Sequence, residues 1–341
     1  MKCTNCFDEI IGEPILCACC ESPMHNDCVQ FCVSCGKPLC DACATSNKWL
    51  CDTCFMEKQN KNNIDFMSST MFEAYLTCPY SFKIDFIDKQ KHLKFRAEDE
   101  EQIGDNKYAA CGRELHDLFE EYSLKDEKTI EEMINSYIVK FETIPNDLFD
   151  SNEDRDIFYK RDLIIINNWF NQEQECPKPL FTEKQHFVQI HDDLPPIRVT
   201  IDRINGDIEH VDEWIVEDYK TGKVYAGDKL RYNLQMPIYA LAIKQLYGHI
   251  PQTLRLRFPQ HNCYREFNRI NDDVYRCIVP RGKTYNISLK TTLKTMINIY
   301  NKIKNGHFSP NPKNEFFCNT FCQYGISGEC KGVSTHWDLY K

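Results

Sequence analysis

The stretch Trp214-Ile215-Val216-Glu217-Asp218-Tyr219-Lys220-Thr221-Gly222 decides how this chain is read. An apolar run is closed by two acids and a lysine, and Thr-Gly then ends it. Side chains alternate along an extended strand, so Asp218 and Lys220 face one side and Glu217 faces the other. A charge in a buried strand is costly unless an opposite group meets it. The plain alternative is a surface strand with a local ion pair, because an Asp-x-Lys tripeptide is common by itself. The surrounding sequence has to decide between them.

Two further strands are predicted just upstream, LFTEKQHFVQI (180–190) and IRVTIDRING (197–206), both rich in β-branched and aromatic residues. Asp202 lies inside the second, where a buried acid needs a partner or a metal. Downstream, Tyr232 to Tyr247 reads as a helix carrying Leu234, Ile238, Leu241 and Leu246, with Gln235 and Tyr239 four apart on one face. TLRLRFP (253–259) reads as a strand and 288–304 as a long helix. Further back, AACGRELHDLFEEY (109–122) reads as a helix that packs Leu115, Phe119 and Tyr122 inward, with His116 and Glu120 on a neighbouring face. Residues 128–142 and 155–171 read as two more helices. Thr70-x-x-Glu73 reads as a capping box opening a helix with Phe72, Tyr75 and Leu76, which Cys78-Pro79 breaks. A histidine on a helix, an aspartate in one strand and Asp-x-Lys in the next make an acid cluster suited to a hard divalent ion. Mg²⁺ is typically held by one or two carboxylates, water and substrate phosphate. A lysine beside such an ion orients or deprotonates the attacking water.

Four segments, GRELH (112–116), VTIDRI (199–204), VEDYKTG (216–222) and QMPIY (235–239), resemble in order and spacing the PD-(D/E)xK nucleases of the RecB-like group. The CRISPR-associated RecB-like exonucleases and the AddB-type nuclease domain are close to it in pattern. The resemblance spans about residues 66–335. It implies an α/β restriction-endonuclease-type core, a central mixed sheet flanked by helices. It also implies His116, Asp202 and Asp218 as Mg²⁺ or Mn²⁺ ligands, Lys220 as the catalytic lysine, and Gln235 and Tyr239 as supporting residues. The implied activity is hydrolysis of DNA, as an exonuclease on single-stranded ends. In the iron–sulfur members one cysteine precedes the core and three follow it. Cys78, Cys318, Cys322 and Cys330 fit those positions, which implies a [4Fe–4S] cluster. The x3 and x7 spacings of the last three are looser than the family's, and zinc or an unmetallated set is the alternative.

The first 54 residues hold 12 of the 20 cysteines. They form Cys3-x2-Cys6, Cys17-x2-Cys20, His25-x2-Cys28, Cys32-x2-Cys35, Cys40-x2-Cys43 and Cys51-x2-Cys54, with Cys19 left over. Six such pairs are ligands for three tetrahedral zinc ions. Few large apolar residues lie between them, so metal stands in for a core. Cys17-x2-Cys20-x4-His25-x2-Cys28 looks like the middle of a RING or PHD-type cross-brace finger, but the crowding leaves open which pairs share an ion. Such fingers dock proteins, peptide tails or ubiquitin-conjugating enzymes. The rival functional reading is a zinc-finger adaptor or ubiquitin ligase that keeps the nuclease fold only to bind DNA. Cys111, Cys176, Cys263 and Cys277 are isolated and read as packing residues.

The 341 residues suffice for about two domains. Polar residues 57–63 mark a linker, giving a zinc finger over 1–57, a linker over 58–65 and a nuclease domain over 66–341. There is no run of 18 apolar residues to cross a membrane, and MKCTNCFDEI lacks the apolar core of a signal peptide. The expectation is an intracellular protein, cytoplasmic or nuclear, whose cysteines stay reduced. A net charge of −10 argues against a general nucleic-acid coat but not against a local basic groove. Residues 279–341 carry nine Lys/Arg against three acids. With Tyr285, Tyr300, Phe308, Phe316 and Phe317 they offer a strand channel or, equally, core.

Overall fold

The alternating segments around Asp202 and Asp218 form neighbouring strands of an eight-stranded mixed sheet. The computed structural model describes residues 2–32, 35–46, 51, 64–88, 106–174, 176–311, 318–319, 322–327 and 329–330. The chain divides into two units, residues 1–63 with 304–306 and residues 64–303 with 307–341.

In the larger unit, β1 (Met67–Ser68) leads straight into α1 (Ser69–Thr77). The cap of α1 is Ser68, whose Oγ accepts from Met71 N–H at 3.3 Å. Thr70 and Glu73 therefore lie inside the helix and are not its capping box. The helix starts early because β1 stays paired with its neighbour through Ser68. Leu76 is exposed, while Met71, Phe72 and Tyr75 face the core. Three helices come next: α2 (Lys107–Leu124), α3 (Ile130–Glu142) and α4 (Asn152–Glu173). Asn106 caps α2, and Thr129 with Glu132 forms a true capping box on α3.

Strands β2 (Phe181–Val188), β3 (Ile197–Asn205) and β4 (Ile215–Tyr219) succeed them. Helix α5 (Gln235–Tyr247) then crosses over to β5 (Thr253–Phe258), which is parallel to β4. An antiparallel meander, β6 (Cys263–Arg269), β7 (Val274–Ile278) and β8 (Thr284–Ser288), leads to α6 (Leu289–Lys304). The sheet order is β8-β7-β6-β5-β4-β3-β1, with β2 also on β3.

The edges of β3 explain where the site forms. β2 runs antiparallel along it, from Phe181 opposite Ile204 to Val188 opposite Ile197. The other edge is shared: β4 pairs with Arg203–Asn205 and β1 with Ile197–Arg198. Among the described residues, no strand pairs with 199–202 on that edge, so β3 and β4 splay there.

Two cores cover the sheet. One joins α1, α5 and α6 to the strands, with Phe72, Ile238, Ile243, Met296 and Trp214 fully buried. The other is built by α2, α3 and α4, where Phe119 stacks on Trp169 at 4.7 Å and Tyr219 from β4 closes against both. Tyr285 and Tyr300 are buried and Phe308 packs on the first core. These three are packing residues and not a strand channel, because β8 alternates Tyr285 and Ile287 inward and α6 turns its apolar stripe to the sheet. Phe316 and Phe317 lie outside the described residues. Among the described residues, no helix is long and apolar enough to cross a membrane.

Between β4 and α4 lies a buried ion network. Glu217 is fully buried and meets Arg255, Arg257 at 3.0 Å and Arg203 at 3.6 Å. Glu173 meets Arg203 and, at 3.4 Å, Arg257. Burial alone would raise the Glu217 pKa, but Arg257, Arg255 and Arg203 outweigh it and hold the carboxyl below its usual range. An intact network of this kind adds little net stability over apolar packing, but removing one partner strands the others. Glu217→Ala should therefore destabilise this unit by about 3–5 kcal/mol in urea unfolding. Lys160→Ala, which breaks the exposed i,i+4 pair with Asp156, should leave the midpoint unmoved. Equal midpoints for the two variants would show that the network does not hold the sheet.

Candidate active site and metal centres

The splay between β3 and β4 leaves backbone groups without a ladder, and side chains take them. Tyr219 N–H donates to Asp202 Oδ2 at 2.7 Å, and Tyr239 O–H donates to the Thr200 carbonyl at 2.6 Å. The register that pairs Arg203 with Glu217 sets Asp202 and Asp218 next in line at the mouth of the splay.

Asp218 is 1% exposed, and its Oδ1 accepts from Gln235 Nε2 at 2.6 Å, with Tyr239 Oη, whose one proton goes to the Thr200 carbonyl, 3.2 Å away. Its Oδ2 is met by the Lys220 ammonium at 2.6 Å. Lys220 Nζ also donates to Gln235 Oε1 at 2.8 Å, and its backbone N–H is fixed on the Arg257 carbonyl. Gln235 thus grips the carboxylate with its amide nitrogen and the ammonium with its oxygen. It does so from the first turn of α5, where Asn233 Oδ1 receives Met236 N–H. His116, on α2, places Nδ1 3.3 Å from Asp202 Oδ2. All six residues singled out in the sequence, His116, Asp202, Asp218, Lys220, Gln235 and Tyr239, line one cleft of about 530 Å³. Arg198, Lys223 and Lys229 add positive charge to its wall.

One residue of this cluster was not visible in the sequence. Glu183 lies opposite Asp202 on β2, flanked by the pairs Thr182–Arg203 and Lys184–Ile201, with its Oε1 3.6 Å from His116 Nδ1. Only strand pairing brings it there, and a single sequence does not reveal pairing.

The charges are strained without a further cation. Burial, then Asp218, push Asp202 up to about 7. Burial opposes a charged His116, but Asp202, Glu183 and Asp218 outweigh it and raise the ring to about 9. Burial likewise disfavours charge on Lys220, yet Asp218 above all holds its pKa higher than usual, so it is an ammonium. Buried carboxylates that repel one another, with an imidazole beside them, fit a hard divalent ion.

In the smaller unit two hairpins, Ile15–Leu16 with Pro23–Met24 and Gln30–Phe31 with Pro38–Leu39, precede a helix at Asp41–Ser46. Its core is mostly cysteine, joined by Met24, Leu39 and Ala44. The ligand pairs interleave. Cys3 and Cys6 join His25 and Cys28; Cys17 and Cys20 join Cys40 and Cys43; Cys32 and Cys35 join Cys51. Cys54 lies outside the described residues. The Cys20–Cys40 and Cys35–Cys51 sulfurs are 3.7 and 3.6 Å apart. A tetrahedral ion with bonds of about 2.3 Å spaces its sulfurs about 3.8 Å apart. Burial raises the Cys3 thiol, but backbone N–H groups of Cys6, His25 and Asn5 bring it down to about 6, favouring thiolate. His25 turns Nδ1 to Cys6 and Nε2 to the Glu9 carbonyl, which fixes its ring.

Cys78, Cys318, Cys322 and Cys330 are all buried, at 4–7% exposure. Cys322, Cys330 and Tyr324 pack with Tyr80 and Ile84, just past Cys78. Tyr324 O–H donates to Asp85, and Asn311 donates to the Thr77 carbonyl. A Cβ at Gly325 would lie 2.3 Å from the Cys318 carbonyl, so glycine permits this close packing. Among the described residues, these four sulfurs are not drawn together as tightly as the single-ion groups of the smaller unit. Cys111 and Cys277 are buried packing residues, while Cys176 and Cys263 are half-buried.

Residues 67–327 match the family model described as the PD-(D/E)XK nuclease superfamily. A comparison with curated proteins returns no match.

The His116 shift gives a pH test on metal-free protein. A ring raised from 6.5 to about 9 contributes stability that is complete below pH 6.5 and is lost as pH rises through 9. Asp202 is half-titrated near 7 and nearly complete only above about 8, so the window from about 8 to about 10 is the one in which the histidine dominates this pair. Urea midpoints should fall across that window in wild type and stay flat in His116→Gln. A flat wild-type profile would refute the ion pair.

Proposed function

The chain belongs to the PD-(D/E)XK nuclease superfamily, and we propose that it hydrolyses DNA phosphodiester bonds with Mg²⁺ or Mn²⁺, as an exonuclease on single-stranded ends. The observation that carries this reading is the joint grip of Gln235 on Asp218 and Lys220 beside Asp202. His116, Asp202 and Asp218 are the proposed ligands. A bound divalent ion supplies charge neutralisation for the phosphate oxygens as bond breaking proceeds. Lys220, held as an ammonium, orients water and faces the developing charge; it donates a hydrogen bond and does not accept the proton. Gln235 fixes the Asp218 carboxylate, and Tyr239, accepting from Gln235 Nε2, steadies Gln235, so the site reorganises little as charge builds. Water adds at phosphorus and releases a proton to solvent as one bridging P–O bond breaks; the departing oxygen takes a proton from solvent, and a phosphate monoester and an alcohol leave. Arg198, Lys223 and Lys229 give an acidic protein the local positive charge that a polyanion requires.

The smaller unit is proposed to hold three zinc ions and to serve as a docking accessory for a protein partner or DNA. Phe7, Ile11, Leu16 and Phe31 are exposed on it and would offer a partner apolar contacts. Cys78, Cys318, Cys322 and Cys330 are proposed to hold a [4Fe–4S] cluster that ties the C-terminal segment to the region after α1. Their burial and the packing of Cys322 and Cys330 beside Tyr80 and Ile84, just past Cys78, support that reading.

Two measurements test these assignments. With Mn²⁺ and end-labelled DNA, wild type should degrade linear single strands and spare circles, and Lys220→Ala should lose at least about 10²-fold in rate. Cutting of circles would replace the exonuclease by an endonuclease, and an unimpaired Lys220→Ala would refute the catalytic assignment. Elemental analysis of anaerobically purified protein should give about three zinc and four iron per chain. Iron retained in Cys330→Ser and Cys78→Ser would exclude the cluster ligands named here.

A further inference from the structure

Just ahead of α5, beside the helical turn Asp228–Arg231, Tyr232 is 65% exposed. Its backbone N–H is held on the Asp228 carbonyl at 2.9 Å, and the next residue, Asn233, accepts Met236 N–H in the first turn of α5. A large flat ring is thus fixed at its root with most of its surface in water. The Arg231 guanidinium stands over it, 5.9 Å from the ring centre, and Lys229 stands over Tyr225 at 5.0 Å. Cations over aromatic faces of this kind recur where proteins hold single strands.

Shared walls join these rings to the catalytic cleft. Tyr225 and Lys229 line that cleft and also a second hollow of about 620 Å³, which Leu76 and Tyr232 bound. Leu76 and Tyr232 in turn line a third hollow of about 550 Å³, with Leu234, Ile287 and the start of α6. The surface therefore runs without a break from Asp218 and Lys220 to the N-terminal end of α6. Its charge changes along the way. Arg198, Lys223 and Lys229 draw phosphate into the cleft. In the second hollow Glu73 and Asp228 face Lys229, and the Arg231 of the third lies 4.0 Å from Asp228. Beyond the cleft the surface is thus poor at holding phosphate, and it offers aromatic and aliphatic faces instead. Those suit bases.

We propose that this surface is the track of the single strand on one side of the scissile phosphate, with Tyr232 as the platform on which a base stacks. The inference rests on the nuclease reading and names the surface that gives an unpaired strand its hold. The bases of a duplex are already stacked and offer Tyr232 no free face, so the platform selects single strands. Every base has a face to stack, so it does so without regard to sequence.

The test is fluorescence anisotropy of a labelled oligothymidine of about 16 nucleotides on the full-length metal-loaded protein, a length in the range of known single-strand sites. Ca²⁺, which also takes oxygen ligands, replaces Mg²⁺, and a gel checks that the strand stays whole. Tyr232→Ala should weaken binding at least about fivefold, and Tyr232→Phe should match wild type. A strand of the same length with its bases removed, and a duplex, should each bind wild type and Tyr232→Ala alike. The dependence of affinity on salt should keep its slope in Tyr232→Ala, because no phosphate contact is lost. The melting temperature should not move, since the ring is exposed. Equal affinities of wild type and Tyr232→Ala for oligothymidine overturn the proposal. So does a loss that persists on the base-free strand or the duplex, a flattened salt slope, or an equal loss in Tyr232→Phe. Cleavage with Mn²⁺ is scored separately on wild type. Cutting by wild type with no effect of Tyr232→Ala on binding removes only the platform. Binding that depends on Tyr232 with no cutting upholds the track and removes the catalytic reading beneath it.

Discussion

Glu217 and Asp218 are adjacent on one strand, and both are almost fully buried. An ionised carboxylate in a protein interior is untenable without compensation, so each needs its own partners. The period of two sends them to opposite faces. One face supplies Arg203, Arg255 and Arg257; the other supplies Lys220, Gln235 and Tyr239. A slip of one residue would set Asp218 among the arginines and Glu217 in the cleft. Charge therefore fixes the register more tightly than apolar patterning does, since Val216 and Tyr219 are buried in either setting. The site inherits its alignment from this choice.

The gap between β3 and β4 is held by hydrogen bonds made across it. Tyr239 reaches from α5 to the Thr200 carbonyl, and Asp202 reaches to Tyr219 N–H. Both groups also belong to the cluster at the mouth of the cleft, so the contacts that keep the strands apart also aim the acids. This economy explains why α5 carries Gln235 and Tyr239 one turn apart, and why its first turn is tied down by Asn233.

Much of this was legible in the sequence, for identifiable reasons. Alternation around Asp218 gave its face, and the helical spacing of Leu115, Phe119 and Tyr122 gave the inward stripe beside His116. What stayed hidden depends on pairing between segments. Glu183 enters the cluster only through its position opposite Asp202. The β6–β8 meander is short and rich in charge, and its residues fit a loop as well as a strand until the partners are known. Tyr285 and Tyr300 read equally as stacking platform or core, because aromatics serve both and exposure is decided by the layer above. The cap of α1 fell on Ser68 because β1 pairing carried the chain to that residue before it turned. In the smaller unit six ligand pairs admit many partnerships, and only the folded hairpins select among them.

The interleaving of those pairs sets an order of assembly on the ribosome. The first group is complete once Cys28 has emerged, the second waits for Cys43, and the third for at least Cys51. Cys17 and Cys20 lie between the two halves of the first group, so its closure already encloses half of the second in a short loop. Cys32 and Cys35 lie in the same way inside the span closed by Cys40 and Cys43. Each group that closes shortens the loop across which the next must find its partner.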